Sequence, residues 1–223
     1  MILIFDLDDT LYPEHRYVES GFKAVAQHLL QQHGWPAEAS YQDLLADLAA
    51  RGRGALFNRL LQARGISTQA EVLACIKAYR QHQPTLMLAP LAEQLLQRLP
   101  QAPYLVTDGH KGVQARKVQA LNLAPRLAKV FITHRYGVKH AKPSTHCFEL
   151  IRQRERCDWA QMAYIGDNPS KDFVKLKPLG VRTVRVLTGE HAGVVAKPGF
   201  EAQFRIPDLG GLPALFPEIG WRD

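Results

Sequence analysis

The first ten residues, MILIFDLDDT (residues 1–10), decide the fold. Five apolar residues in succession are too few for a core helix, and such a run is typical of a strand buried on both faces of a parallel sheet. Asp6, Asp8, Asp9 and Thr10 follow this run directly. They therefore lie at the carboxyl edge of the predicted strand, where open α/β sheets bind their ligands.

Asp6 and Asp8 share one side-chain parity, so both can face the same crevice while Leu7 points away. Two carboxylates so close together resist ionising together unless a cation lies between them or one keeps a proton. The alternative is a plain polar turn after a strand. The later sequence argues against that alternative.

Strands and helices alternate after Pro90, which favours a parallel sheet with right-handed crossovers. The predicted strands cover residues 104–106, 130–132, 162–165 and 183–187, and the predicted helices cover 91–99, 113–121, 145–154 and 173–179. A weak strand near 202–206 and a short helix around 209–216 are predicted in the tail. The expected class is α/β, with a Rossmann-like parallel sheet flanked by helices.

The region before that alternation has a different character. Apolar residues recur at three-to-four spacing in four successive stripes, and no strand candidate interrupts them. Residues 14–85 are therefore predicted to be an inserted all-helical domain. Residues 1–13 and 86–223 would form the α/β core.

Each core strand named above is followed by polar residues suited to catalysis. Thr107 and Asp108 end one strand, Asp167 ends another, and Lys142 precedes a helix predicted to begin at Pro143. Because parallel strands present their carboxyl ends at one sheet edge, a shared site is the simplest explanation.

These stretches carry a resemblance. The sequence is similar to the haloacid dehalogenase-like superfamily, specifically its phosphatase branch with a helical cap inserted after the first strand. The motifs, in chain order, are Asp6-Leu7-Asp8-Asp9-Thr10, the strand ending in Thr107-Asp108-Gly109, Lys142-Pro143, and Gly166-Asp167 followed by Asp172. Asp108 occupies a place that the family more often gives to Asn, and we expect little consequence because the backbone donor there survives.

The resemblance implies a Mg²⁺-dependent phosphomonoester hydrolase that acts through an aspartyl-phosphate intermediate. Asp6 would be the nucleophile, and Asp8 would protonate the leaving group and later accept a proton from water. Thr107 and Lys142 would stabilise the transferring phosphoryl group, and Asp108 would add a backbone donor. Mg²⁺ would be held by the carboxylates of Asp6 and Asp167 and the backbone carbonyl of Asp8.

Some assignments keep a simpler alternative. Asp172 would orient ligand waters or Lys142, or it is a helix N-terminal acid. Lys142 on its own could be a solvated lysine at a helix end. Arg53, in a glycine-flanked stretch of the predicted cap, is the most suggestive contact for an anionic substrate, although an exposed turn arginine fits as well. Asp9 is expected to be structural.

The expected substrate is a small phosphorylated metabolite, either a nucleoside monophosphate or a sugar phosphate. Halide leaves carbon without a proton, so an acid at Asp8 favours phosphate ester hydrolysis over dehalogenation. Asp8 argues only weakly against a phosphomutase, whose chemistry uses the same acid. A noncatalytic protein that binds phosphorylated ligands is the other alternative, although it does not need two acids beside a metal.

Composition limits the partners. The 28 Lys and Arg against 21 Asp and Glu give a net charge of +7, but the basic residues form no tract, so a nucleic-acid partner is not expected. The three cysteines include no CxxC pair, which argues against a disulfide framework or a zinc site. Neither a signal peptide nor a membrane span is predicted. We expect a cytoplasmic monomer or homodimer.

Overall fold

The structure, a computed structural model, describes residues 1–66 and 68–222. Within these residues the centre of the fold is a parallel six-stranded sheet in the order β3-β2-β1-β4-β5-β6. The strands, numbered along the chain, are β1 (Ile2–Phe5), β2 (Tyr104–Thr107), β3 (Lys129–Ile132), β4 (Met162–Gly166), β5 (Arg182–Val186) and β6 (Phe204–Ile206). This is the Rossmann-like strand order, and it confirms the predicted fold class.

The opening apolar run is the central strand β1. Ile4 lies beside Tyr104 of β2 on one side and beside Tyr164 of β4 on the other. Ile4 and Phe5 have no exposed surface, as expected of a strand covered on both faces. The acidic residues after Phe5 therefore begin at the middle of the sheet edge.

A helical unit follows the first strand. Its helices are α1 (His15–His33), α2 (Ala37–Arg51), α3 (Leu56–Ala63) and α4 (Gln69–Gln81). They enclose a core of their own, with Leu29, Leu44 and Leu61 completely buried. The chain divides into two compact units, Met1–Glu14 with Leu86–Asp223, and His15–Thr85. That the helical unit acts as a cap stays a prediction.

The remaining helices are α5 (Pro90–Arg98), α6 (Lys111–Ala120), α7 (His146–Glu155) and α8 (Leu212–Leu215). The main core of the sheet unit includes residues of α7 and of the strands, with Phe148 and Ile151 from the helix and Tyr164 from β4. Burial of these apolar side chains positions the sheet edge where the polar residues lie.

Two predicted helices differ from the structure. Residues 173–179 form turns that end in a 3-10 turn at Lys177–Leu179, because Pro178 has no N–H to continue an α-helical hydrogen-bond pattern. The helix predicted to begin at Pro143 begins at His146 instead. Lys142 therefore lies in a loop, and its position depends on side-chain contacts.

Within the described part of the chain, no helix is both long enough and apolar enough to span a membrane.

Candidate active site

A cleft of about 340 Å³ lies at the carboxyl edge of the sheet unit. It brings together five of the residues predicted from the sequence: Asp6, Asp8, Thr107, Asp108 and Asp167. The remaining lining residues, most of which the sequence analysis did not single out, are Asp9, Glu14, Gly109, His134, Asn168, Lys171, Glu190 and His191.

Lys142 is buried beside this cleft and ties two of its acids together. Its Nζ lies 2.9 Å from Asp6 Oδ2 and 2.8 Å from Asp172 Oδ1, and it donates to the Tyr164 hydroxyl at 2.8 Å. Only 1% of the lysine side chain is exposed, so it is not a solvated lysine. Burial acts to lower the pKa of Lys142, but Asp172 and Asp6 outweigh it and raise that pKa well above its usual value.

Both oxygens of Asp172 accept from protein donors. Its Oδ1 accepts from Lys142 and from the Tyr164 hydroxyl at 3.3 Å, and its Oδ2 accepts the Asn168 backbone N–H at 2.9 Å. Of the alternatives that the sequence left open, orienting Lys142 matches these contacts. Tyr164 is an addition to the site that its position inside an apolar strand did not reveal.

Asp6 and Asp167 carry negative charge that the protein compensates only in part. Asp6 Oδ1 is buried and has no hydrogen-bond partner among the described residues. Burial raises the pKa of Asp6 to about 6, with Lys142 opposing the rise. Burial, together with the charges of Asp6 and Asp172, raises the pKa of Asp167 to about 8. A cation between these carboxylates would favour their ionised forms and so lower both pKa values.

The donor set fits a hard divalent cation. Asp6, Asp167 and Asp172 each offer a carboxylate oxygen, and these oxygens lie within 4.8 Å of one another. Carboxylates are the ligands that Mg²⁺ and Ca²⁺ prefer. Because Asp172 is already engaged, Asp6 and Asp167 are the better candidate ligands. The expected contribution of the Asp8 carbonyl stays a prediction.

Asp8 has a very different environment from Asp6. Its Oδ1 accepts from Lys117 Nζ at 2.7 Å and from the Tyr12 hydroxyl at 2.5 Å, and its Oδ2 accepts from Gln114 Nε2 at 2.8 Å. Burial acts to raise the pKa of Asp8, but Lys117 and these hydrogen bonds outweigh it, so the pKa is lowered. Asp8 is therefore held as a carboxylate while Asp6 and Asp167 are pushed towards protonation.

The sequence analysis missed Gln114 and Lys117, although a signal was present. They are three residues apart on α6, the helix that follows the Thr107 strand, and therefore share one helix face. Both are buried, with 2% and 3% of their surface exposed. Two polar residues on the buried face of a helix are unusual and point to a polar partner.

Thr107 and Asp108 leave β2 towards the cleft. Asp108 Oδ1 accepts from the Thr133 hydroxyl at 2.7 Å and from the Lys142 backbone N–H at 3.0 Å. Lys171 Nζ lies 3.6 Å from the other oxygen of Asp108. The Asp108 side chain therefore fastens the loop that carries Lys142, a role that its predicted backbone contact with phosphate does not describe.

The side chain of Asp9 contacts backbone groups, which is consistent with the structural role expected for it. Asp9 adopts a positive φ of 52°, and its carboxylate accepts the backbone N–H groups of Glu14 at 2.8 Å and Glu190 at 3.1 Å. These bonds tie the first loop of the cleft to the loop after β5.

Arg53 belongs to the helical unit, where it lines an apolar pocket with Phe22, Phe57 and Tyr79. Its predicted contact with substrate stays a prediction.

Comparisons with known proteins place the chain in a family. A family model described as a haloacid dehalogenase-like hydrolase matches residues 1–180. A glyceraldehyde 3-phosphate phosphatase from Pyrococcus furiosus is 28% identical over 200 residues, covering 86% of this chain and 82% of that protein. An enzyme of the same name from Methanocaldococcus jannaschii is 24% identical over 205 residues, covering 85% and 86%.

Among solved structures, a 2-haloacid dehalogenase from Pseudomonas syringae superposes with a TM-score of 0.62 at 20% identity, covering 98% of this chain and 99% of that one. At this identity the likeness concerns the fold. A fold does not decide the reaction, so the residues of the cleft must do so.

Proposed function

The chain belongs to the haloacid dehalogenase-like hydrolases, and from that premise we propose that it is a Mg²⁺-dependent phosphatase acting on a small phosphorylated metabolite. Its nucleophile is Asp6, and the reaction passes through an aspartyl-phosphate intermediate. The names of the two relatives support phosphatase activity.

The observation that carries the proposal is the arrangement around Asp6. One carboxylate oxygen is held by Lys142 at 2.9 Å, and the other is buried and has no hydrogen-bond partner in the described part of the chain. A carboxylate has two oxygens, so Asp6 can offer one to a cation and the other to phosphorus. Asp6 and Asp167 would hold the cation, which would neutralise charge on the phosphoryl group.

The protein groups divide the reaction into two steps. Asp6 attacks phosphorus, which splits the hydrolysis into formation and breakdown of an acyl phosphate. Asp8 gives a proton to the leaving oxygen in the first step and takes one from water in the second. Lys142 and the Thr107 hydroxyl stabilise the phosphoryl oxygens. The surroundings of Asp8 favour its carboxylate form, which is the form that takes the proton from water in the second step.

We further propose a small sugar phosphate as the substrate class, in preference to a nucleoside monophosphate. The support is that both relatives are named for glyceraldehyde 3-phosphate. The helical unit, predicted as residues 14–85, would act as a cap that excludes water, with Arg53 as a contact for the substrate. We also propose a cytoplasmic location and a monomeric or homodimeric state.

Dehalogenase chemistry is less well supported than phosphatase chemistry, because a halide leaving group gives no role to an acid at Asp8. A phosphomutase would use the same groups, but it would return the phosphoryl group to a second hydroxyl instead of to water. A protein that only binds phosphorylated ligands would not need two acids, Asp6 and Asp8, beside a cation.

The first prediction tests the nucleophile and the cation together. Wild-type protein is assayed for phosphate release from p-nitrophenyl phosphate and from glyceraldehyde 3-phosphate, with Mg²⁺ and after EDTA treatment. We expect turnover of both esters with Mg²⁺ and loss of turnover in EDTA that added Mg²⁺ restores. Asp6→Asn should lower kcat by at least ~10³-fold because it removes the nucleophile.

The matched control is Asp158→Asn, at an exposed turn where Asn can also cap. It should keep wild-type activity. Borohydride reduction of enzyme quenched during turnover, followed by peptide mass analysis, should modify Asp6. Activity that persists in Asp6→Asn would show that the nucleophile is misassigned, and activity unaffected by EDTA would exclude the metal.

A further inference from the structure

We propose that Lys117 and Gln114 are positioning residues that hold the Asp8 carboxylate in place for proton transfer. This inference rests on the proposed phosphatase function and deepens it. It assigns a catalytic purpose to two buried polar side chains of α6 that the roles described above leave unused.

The first argument is the number of donors on one carboxylate. Lys117 and Tyr12 both donate to Oδ1 of Asp8, at 2.7 and 2.5 Å, and Gln114 donates to Oδ2 at 2.8 Å. Donors on both oxygens fix the rotation of the carboxyl group as well as its position. A group that transfers protons in both steps of a reaction needs such fixed geometry.

The second argument is that Lys117 is more deeply buried than Asp8. The side chain of Asp8 is 22% exposed and lines the cleft, whereas that of Lys117 is only 3% exposed. An ammonium group in such a buried place is costly unless it is paired. Lys117 also lies 3.7 Å from Glu14, on the cleft lining, and its Nζ is 5.9 Å from the centre of the Tyr12 ring. Lys117 thus contacts Asp8 from the protein interior, and the exposed part of Asp8 faces the cleft.

The third argument is the hydrogen-bond capacity of Gln114. Its amide nitrogen carries two protons and faces three acceptors, which are Asp8 Oδ2 at 2.8 Å, Thr107 Oγ1 at 2.7 Å and the Asp108 carbonyl at 2.6 Å. An amide nitrogen accepts nothing, so the Thr107 hydroxyl must be the acceptor in that contact. Its own proton remains available for a phosphoryl oxygen. Gln114 thereby sets the orientation of the acid and of the hydroxyl together.

In the proposed reaction, Asp8 carries a proton in both steps, so its carboxyl group is the group that must be positioned. In the first step Asp6 bonds to phosphorus, the ester P–O bond breaks, and the leaving alkoxide takes the proton of the Asp8 carboxyl. In the second step water attacks phosphorus, its proton returns to Asp8, and phosphate and the free Asp6 carboxylate are released. The sum is ester plus water giving alcohol plus phosphate.

The test exploits the leaving group. An alkoxide needs a proton to depart, whereas p-nitrophenolate leaves as a stable anion. The quantity measured is kcat/KM, which covers the steps up to departure of the first product, for glyceraldehyde 3-phosphate and p-nitrophenyl phosphate. Asp8→Asn removes the acid and serves as the reference. The change it causes in the ratio of the two kcat/KM values is the largest that loss of the acid can cause.

We expect Lys117→Met and Gln114→Leu to lower kcat/KM for glyceraldehyde 3-phosphate by ~10–100-fold. For Lys117→Met the value for p-nitrophenyl phosphate should fall by less than ~3-fold. Gln114→Leu also releases the Thr107 hydroxyl, so it should lower the value for p-nitrophenyl phosphate as well, but by a smaller factor than the value for glyceraldehyde 3-phosphate. Lys117→Arg, which keeps a cationic donor, should recover part of the lost ratio. The controls are Lys111→Met and Gln119→Leu, exposed positions on the same helix, which should change neither substrate.

A structural role alone predicts a different result. If both variants lowered the two kcat/KM values by the same factor, or lowered neither, the inference would be overturned. If a melting experiment shows that Lys117→Met does not fold, the test uses Gln114→Leu, which changes no charge. The ratio of its kcat/KM values for the two substrates then decides whether the inference holds. Wild-type protein without activity on either ester would reject the proposed function, and the inference with it, an outcome distinct from an unchanged ratio in an active enzyme.

Discussion

Among the carboxylates that line the cleft, Asp6, Asp8 and Asp167 differ in protonation tendency because the residues around them differ. Burial raises the pKa of Asp6 to about 6 and that of Asp167 to about 8, whereas Lys117, Tyr12 and Gln114 lower that of Asp8 in spite of its burial. Separate environments for neighbouring acids are how an enzyme assigns them separate tasks. The assignment therefore depends on residues behind the carboxylates as much as on the carboxylates themselves.

Asp108 allows a pH-dependent prediction. Burial acts to raise the pKa of Asp108. The charge of Lys142 and the hydrogen bonds from Thr133 and the Lys142 backbone outweigh burial, with a further contribution from the charge of Lys171, so the pKa is lowered in the folded state. A lowered pKa means that Asp108 stabilises the fold above its unfolded pKa, and that this stability is lost as pH falls through the folded pKa.

We expect Asp108→Asn to lower the free energy of unfolding at pH 7 by about 1 kcal/mol, because the charge is lost while the amide oxygen can still accept from Thr133 and Lys142. The difference from wild type should shrink as pH falls below about 4. Urea unfolding at several pH values measures it, with the exposed Asp158→Asn change as control. A difference that stays constant with pH would contradict this account.

At the scale of elements, the loop after β5 is fastened to the first loop of the cleft. Thr188 Oγ1 donates to the Asp9 carbonyl at 2.5 Å, and the Glu190 N–H donates to the Asp9 carboxylate. Gly189 lies between them with φ of 66°, and a Cβ there would come within 2.0 Å of Asp9 Cγ. The close approach of the two loops therefore requires glycine.

Gly189→Ala should destabilise the protein by at least about 2 kcal/mol, because it adds about 1 kcal/mol of backbone strain and displaces the hydrogen bonds of Asp9. Gly180→Ala is the matched control, since Gly180 also has a positive φ, 95°, but a Cβ there would meet nothing within 4 Å. It should cost about 1 kcal/mol. The measurement is urea unfolding, and equal losses in the two variants would exclude a close contact at Gly189.

Much of the architecture was predictable because buried parallel strands are short apolar runs. The runs that end at Phe5, Thr107 and Gly166 are all strands, and their polar successors line one cleft. The apolar residues of 173–179 have helical spacing, but Pro178 near the end of this stretch interrupts a helix. The helix face that Gln114 and Lys117 share could be read from the sequence, but their partner could not, because the contact between Asp8 and Lys117 joins residues 109 positions apart.

At the scale of the whole molecule, the two compact units have separate hydrophobic cores. Phe22, Leu29, Leu44 and Leu61 belong to the core of His15–Thr85. The core around β1 and α7 contains residues of the other unit. Separate cores allow local opening of one unit to cost less free energy than unfolding of the chain.

Leu61→Ala is the change that tests this organisation, because Leu61 has no exposed surface. Removal of its buried side chain should cost about 2–5 kcal/mol. The loss should raise amide hydrogen exchange across His15–Thr85 by more than it raises exchange in β1 and β4. Leu73→Ala, on α4 of the same unit but 54% exposed, should cost less than about 0.5 kcal/mol and change neither pattern. If exchange in Leu61→Ala rose equally in both units, the two units would open as one cooperative body, and the organisation into separately opening units would be wrong.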